Sequence, residues 1–110
     1  MTDDEPSDLT LEDVLAEAAL DLAGLAAVQD GAATTWSVAG AAFATLSAGR
    51  AEFRLNPLVA GAALRTPDTA PSARGTEWVA FTPAELDDGA VDRAEAWFLS
   101  AYRRAAAPRH

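Results

Sequence analysis

The stretch that constrains the fold most is residues 34–56, TTWSVAGAAFATLSAGRAEFRLN. β-Branched and aromatic residues dominate it, and two glycine-bearing turns interrupt it at residues 39–40 and 47–49. Glycine accepts the positive φ angle that tight hairpin turns require. The pattern therefore predicts a meander of three short antiparallel strands.

The third of these strands shows the clearest alternation. Apolar side chains fall on one side of it and charged side chains on the other: Ala51, Phe53 and Leu55 against Arg50, Glu52 and Arg54. Because successive side chains of a strand point to opposite faces, we expect one face of the sheet to meet a core and the other to meet water.

Helical patterns lie on both sides of the meander. The first helix begins at Thr10, where Asp13 completes a variant capping box, and ends near Gly24. A short helix is predicted after Asn56, which is followed by a proline at the first helical position. The last helix covers about residues 90–106 and carries a wide apolar stripe.

Four connecting segments complete the prediction. Residues 25–29 form a short strand or only an extended lead-in. Residues 65–75 contain two prolines and predict a long loop, which makes them a candidate functional segment. Residues 77–81, EWVAF, are apolar on both sides and predict a strand that is central or covered on both faces. Residues 82–85, TPAE, form a second capping box and predict one short turn of helix.

Together the elements predict one α+β domain over residues 10–107, after an acidic tail of residues 1–9 that we expect to be disordered. The domain has two layers, with an antiparallel sheet of about four to five strands flanked by an N-terminal and a C-terminal helix. Aromatic residues dominate the predicted core: Trp36, Phe43, Phe53, Trp78, Trp97 and Phe98. No apolar run approaches the length of a membrane span and the N-terminus is acidic, so we expect a cytoplasmic protein with no membrane partner.

The charge is unevenly distributed along the chain. The net charge is −9, and residues 1–30 hold nine acidic residues and no basic one. Residues 31–110 hold eight acidic residues and eight arginines, so their charges balance. The acidic side chains of the first helix, at Glu12, Asp13 and Glu17, have three interpretations. In the first, they only keep the protein soluble. In the second, they dock a basic protein partner or a cation. In the third, the acidic segment folds over a sheet face that carries arginines.

Enzymatic functions find little support in the sequence. The chain has no cysteine, and its only histidine is the terminal residue, His110. It contains no phosphate-binding loop, dinucleotide fingerprint, nucleophile elbow or metal-ligand spacing. The adjacent acids Asp87 and Asp88 are more typical of a helix cap than of a catalytic pair. We therefore expect a protein that is not an enzyme and holds no metal or cofactor.

The order of the segments resembles the MmcQ/YjbR family. A first helix ending in Leu-x-Gly is followed by TTWSVAGAAFATLS, AEFRLNPLVAGAAL, a proline-rich loop, EWVAF and a closing helix ending in AWFLSAYRRA, over residues 10–106. The resemblance implies a two-layer α+β domain, related in architecture to secretion-chaperone-like and frataxin-like folds, with double-wing DNA binding. The family often has a lysine after the glycine of the strand turn, where this chain has Ala41 after Gly40. Arg54 corresponds to a basic residue common in the third strand.

The resemblance makes five arginines the candidate contacts to DNA phosphates: Arg50, Arg54, Arg74, Arg103 and Arg104. Glu52 lies between two of them, which favours the alternative of a solvated sheet face with cross-strand pairs. Two functional hypotheses follow, a nucleic-acid-binding module and an acidic protein-interaction module. Arginines gathered on one face, away from the acids of the first helix, would favour the first hypothesis. Interleaved acids and arginines would weaken it.

Overall fold

The computed structural model describes residues 9–107 and has two layers. Its elements in chain order are α1 (Leu11–Ala19), β1 (Leu25–Asp30), β2 (Ala33–Val38), β3 (Ala41–Ser47), β4 (Arg50–Arg54), α2 (Pro57–Ala63), β5 (Thr69–Ser72), β6 (Gly75–Phe81) and α3 (Asp88–Ala106). The strands form one antiparallel sheet in the order β1-β2-β3-β4-β6-β5. The predicted α+β class is confirmed, with six strands instead of four to five. Of the predicted tail, only Leu9 lies within the described residues.

The capping box predicted at the start of α1 is present. The Thr10 hydroxyl accepts a hydrogen bond from the Asp13 N–H, and the Asp13 carboxylate accepts one from the Thr10 N–H, both at 3.1 Å. These two bonds satisfy N–H groups that have no partner inside the helix. They fix the start of α1 so that Leu11, Val14 and Leu15 are buried, and α1 packs against α3.

The core lies between the sheet and the two long helices. α3 crosses β2, β3 and β4, and its Phe98 is fully buried among aromatic rings. The Phe98 ring meets the rings of Trp36 and Phe43 edge-on, with centroids 5.3 Å apart in both pairs. Trp97 makes a similar edge contact with Phe81 at 5.1 Å. Among residues 9–107, no helix is both long and apolar enough to cross a bilayer.

The loop predicted over residues 65–75 is only partly a loop, and that prediction is corrected. Residues Thr69–Ser72 form β5, which pairs with β6 at the edge of the sheet. A proline lacks the N–H that a ladder needs, so Pro71 is compatible with a strand at an edge but not at the centre. The doubt about residues 25–29 is also settled, because they lie within β1.

The helical turn predicted at residues 82–85 is wrong. That segment is an irregular connection, and its Thr82 N–H donates to the Asp68 carbonyl at 2.9 Å, which ties it to the start of β5. The last helix begins at Asp88, two residues before the predicted start. The prediction that Asp87 caps it is confirmed, because the Asp87 carboxylate accepts the Ala90 N–H at 2.9 Å.

Trp78 does not belong to the predicted core. The register of β4 and β6 pairs Phe53 with Val79 and Arg54 with Trp78. Val79 is fully buried, whereas Trp78 is only half-buried and lies on the opposite face of the sheet. The prediction that β6 is a central strand is confirmed, since it lies between β4 and β5.

Candidate functional site on the open face of the sheet

The face of the sheet that points away from α1 and α3, here called the open face, carries the charged side chains of β4. Ala51 and Phe53 point into the core, so the alternation of the strand places Arg50, Glu52 and Arg54 on the open face. This is the arrangement that the sequence predicts.

Glu52 is the centre of a polar cluster on this face. Its carboxylate accepts hydrogen bonds from the Ser72 hydroxyl at 2.6 Å, the Arg74 Nε at 2.8 Å and the Thr45 hydroxyl at 3.2 Å. The Arg50 guanidinium lies 3.6 Å from the same carboxylate. We call these five residues the Glu52 cluster. The Glu52 side chain is only 12% exposed, so its partners cover it.

Two hairpin turns bring the arginines of the cluster together. Arg50 follows the turn between β3 and β4, where Ala48 and Gly49 both have positive φ angles, of 52° and 77°. Such turns match the twist of the flanking strands and direct the chain back along the sheet. Arg74 lies in the turn between β5 and β6, and its N–H donates to the Ser72 hydroxyl at 3.1 Å. Side chains from two separate hairpin tips therefore meet on one carboxylate.

An aromatic ring adjoins the cluster. The Arg74 guanidinium lies 5.5 Å from the centroid of the Trp78 ring, within the range of a cation–π interaction. Arg74 thus contacts both a carboxylate and an aromatic ring, while half of its side chain stays exposed.

A second acidic side chain holds two more arginines. The Glu77 carboxylate is bonded to Arg104 Nη1 at 3.1 Å and to Arg54 Nε at 3.2 Å. Arg104 Nη1 also donates to the Leu55 carbonyl at 2.9 Å, so this arginine joins the end of α3 to the end of β4. Arg103 is exposed on α3, and no ion pair of it is present within residues 9–107. The structure therefore brings four of the five predicted arginines into two clusters and leaves Arg103 outside them.

Both glutamates favour their ionised forms. Burial alone would raise the pKa of Glu52, but hydrogen bonds from Ser72, Arg74 and Thr45 and the charge of Arg74 outweigh it, so the pKa lies below its usual value. Hydrogen bonds from Arg104 and Arg54 lower the pKa of Glu77 despite some desolvation. Both carboxylates are therefore negatively charged at neutral pH.

The two clusters still carry an excess of positive charge. Four arginines share two glutamates, and the arginine side chains are between a third and a half exposed. Exposed ion pairs of this kind contribute only about 0–1 kcal/mol, so a guanidinium can exchange a carboxylate for another anion at low cost. The arrangement can bind an anionic ligand without unfolding any element.

The predicted acidic docking face lies in the helical layer, on α1. Glu12 and Glu17 are exposed, whereas the Asp13 carboxylate is engaged in the capping box. The acids of α1 lie across the core from Arg50, Arg54 and Arg74, but in the same layer as Arg103 and Arg104, which belong to α3. Glu52 and Glu77 nevertheless interleave with the arginines, as the alternative hypothesis expects. Within residues 9–107, no group of three or more potential metal ligands is present.

Sequence reasoning missed the polar residues Thr45 and Ser72 and the aromatic residue Trp78 as parts of this site. The useful signal was the sequence S-A-R-G at residues 72–75, because a connection of three to five residues that contains glycine is typical of a hairpin. That turn would have placed Arg74 at a tip opposite β4.

Comparison of the chain with protein-family models, with curated proteins and with solved structures finds no match. The resemblance to the MmcQ/YjbR family therefore stays a prediction.

Proposed function

We propose that the protein binds nucleic acid through the open face of its sheet. The observation that carries the proposal is the meeting of Arg50 and Arg74, from two hairpin tips, on the carboxylate of Glu52. The two arginines and the one glutamate together carry one excess positive charge. Both guanidinium groups remain accessible to a ligand.

The geometry suits contacts to phosphates. Arginine presents several N–H donors in a fixed plane, so a guanidinium that keeps one contact to Glu52 can still donate to a phosphate oxygen. Glu52 holds both arginines in position before a ligand arrives, which lowers the entropy lost on binding. Trp78 adds an aromatic ring at the edge of the cluster, where an unpaired base can stack.

The proposal is tested by fluorescence anisotropy with labelled single-stranded and duplex DNA, at low and at near-physiological salt. We expect binding that weakens as salt rises, because each neutralised phosphate releases counterions. The double variant R50A/R74A should lose at least tenfold in affinity at low salt. No binding by the unchanged protein at low salt would contradict the proposal.

The matched control is the double variant R65A/R103A. Arg65 and Arg103 are exposed and form no ion pair within the described part of the chain, so their loss changes the net charge equally and leaves the Glu52 cluster intact. This control should retain affinity within about threefold of the unchanged protein, since both charges lie outside the Glu52 cluster and their effect on a phosphate bound there is weakened by distance and by salt. Equal losses in the two double variants would show that only net charge matters.

A second candidate function is the docking of a basic protein segment on α1. It is favoured by Glu12 and Glu17, which are exposed and form no ion pair within residues 9–107. A labelled arginine-rich peptide tests it. Weaker binding by E12Q/E17Q than by the equally charged control E85Q/E95Q would support docking on α1, and equal binding would contradict it.

A further inference from the structure

The outer strand β1 leaves one edge of the sheet, here called the free edge, unpaired within residues 9–107. It is six residues long, and in this part of the chain it pairs only with β2. All its side chains except that of Leu25 are exposed, and Val28 is 60% exposed. Natural edge strands are commonly blocked by proline, by lysine or by a bulge, and β1 contains none of these.

The opposite edge of the sheet differs. β5 has only four residues, its pairing with β6 is irregular after Pro71, and the proline removes one backbone donor. An additional strand can therefore pair more readily with β1 than with β5.

The turn after β1 determines which of its backbone groups are free. Gly31 and Ala32 form a two-residue turn, with a φ angle of 65° at Gly31, so the closing pair Asp30 and Ala33 is hydrogen-bonded. Hydrogen-bonded and non-hydrogen-bonded pairs alternate along an antiparallel ladder. The N–H and C=O groups of Leu25, Ala27 and Gln29 therefore point away from β2, to the free edge.

We propose that β1 pairs with β1 of a second copy of this chain, antiparallel and about a two-fold axis at Ala27. In this register Ala27 lies opposite Ala27 of the second copy, and Leu25 lies opposite Gln29. These are the residues whose backbone groups point to the edge that is unpaired in the described part of the chain, so three hydrogen-bonded pairs form. Between them, the exposed Val28 lies beside Ala26 of the second copy.

The charge pattern fits a second copy. Asp30 is the only charged residue of β1, and the two-fold places it opposite Gly24, beyond the end of the partner strand. No like charges therefore face each other across the new ladder. A two-fold interface needs this property, because the same surface occurs on both of its sides. The net charge of −9 on each chain opposes association, so dimerisation should strengthen as salt screens that charge.

Sedimentation velocity over a wide range of protein concentrations tests the proposal. We expect a reversible shift from monomer to a species of twice the 11.4 kDa chain mass, which salt promotes. A27P removes an N–H that faces the free edge, and V28K places two lysines diagonally across the ladder. Each variant should weaken dimerisation at least tenfold, and circular dichroism checks that each still folds.

The matched control is A42K, which adds the same charge at an exposed position of the inner strand β3 and should dimerise normally. Amide hydrogen exchange gives an independent readout, because the Ala27 N–H should become protected only as protein concentration rises. A chain that stays monomeric at all concentrations would overturn the proposal. So would a dimer in which exchange at Ala27 does not depend on concentration.

Discussion

At the scale of single residues, Glu52 is the side chain that we expect to tune the proposed binding of an anion on the open face. It accepts a hydrogen bond from Arg74 and forms an ion pair with Arg50, so it both positions these side chains and cancels half of their charge. Its negative charge also repels a ligand phosphate that approaches the remaining donors of these guanidinium groups. A variant that removes the charge of Glu52 but keeps its size should therefore distinguish the positioning of the arginines from the cancellation of their charge.

We predict that E52Q binds labelled DNA about fivefold more tightly than the unchanged protein at low salt. The loss of a unit negative charge about 4 Å from a bound phosphate is worth about 1 kcal/mol in water. The same variant should lose about 1 kcal/mol in the free energy of unfolding, because charge-assisted hydrogen bonds become neutral ones. Anisotropy and urea unfolding measure the two changes.

The control for this variant is E12Q, which makes the same change of net charge at an exposed position of α1. It should bind DNA and unfold almost as the unchanged protein does. If E52Q and E12Q increase DNA affinity equally, the effect belongs to net charge, and Glu52 has no special role.

Acid should weaken the two arginine clusters. The pKa values of Glu52 and Glu77 are lowered in the folded protein, so both groups stabilise it above the usual glutamate pKa of about 4.3. That stabilisation is lost as pH falls through the lowered folded-state values. We predict that the urea midpoint drops less between pH 5 and pH 3 in E52Q/E77Q than in the unchanged protein. An equal drop would show that other groups determine the acid sensitivity.

Trp78 shows what residue patterns leave undecided. The segment EWVAF is apolar at both alternating sets of positions, so the sequence alone does not say which set enters the core. The pairing of Phe53 with Val79 decides it and turns Trp78 to the open face. The clear alternation in β4, by contrast, predicts its two faces correctly because only one set of its residues is apolar.

At the scale of elements, two similar capping sequences behave differently. Thr10-Leu-Glu-Asp starts α1, whereas Thr82-Pro-Ala-Glu starts no helix. The residues after Thr10 place an apolar stripe against α3, while the Thr82 backbone is held by Asp68 at the beginning of β5. Tertiary hydrogen bonding thus overrides local preference at the second sequence.

We predict that T10A lowers the free energy of unfolding by about 1 kcal/mol, the usual effect of losing a helix N-cap. T82A should change it by less than about 0.5 kcal/mol, because the exposed hydroxyl caps no helix. Urea unfolding followed by circular dichroism measures both. Equal destabilisation by the two variants would contradict this assignment of their roles.

The elements themselves follow from the sequence to different degrees. The meander and both long helices are predicted because periodicity and turn residues agree there, although α1 ends at Ala19 and not near Gly24 as predicted. Of the two adjacent acids predicted as caps, Asp87 is the one that caps α3. β5 is not predicted, since Pro71 argues against a strand and only its edge position makes one possible. The Glu52 cluster depends on that strand, because it supplies Ser72 and leads to Arg74. Sequence analysis therefore finds the arginines of the site but not the contacts that join them.

At the scale of the whole molecule, binding and dimerisation should respond to salt in opposite directions. The chain carries a net charge of −9, yet within residues 9–107 its open face presents Arg50, Arg54 and Arg74 around the single glutamate Glu52. Salt screens the local attraction of phosphates and also the repulsion between two chains. The DNA affinity should therefore fall, and the dimer fraction rise, over the same range of ionic strength.

The central claim, that nucleic acid binds on the open face, is tested most directly by nuclear magnetic resonance titration of isotope-labelled protein with a short single-stranded oligonucleotide. We predict that the largest chemical-shift changes occur at the side-chain Nε–H signals of Arg50 and Arg74 and at the indole N–H of Trp78, while the amides of α1 stay unchanged. Changes confined to α1 or to the exposed side of α3, or no change at low salt, would contradict the claim.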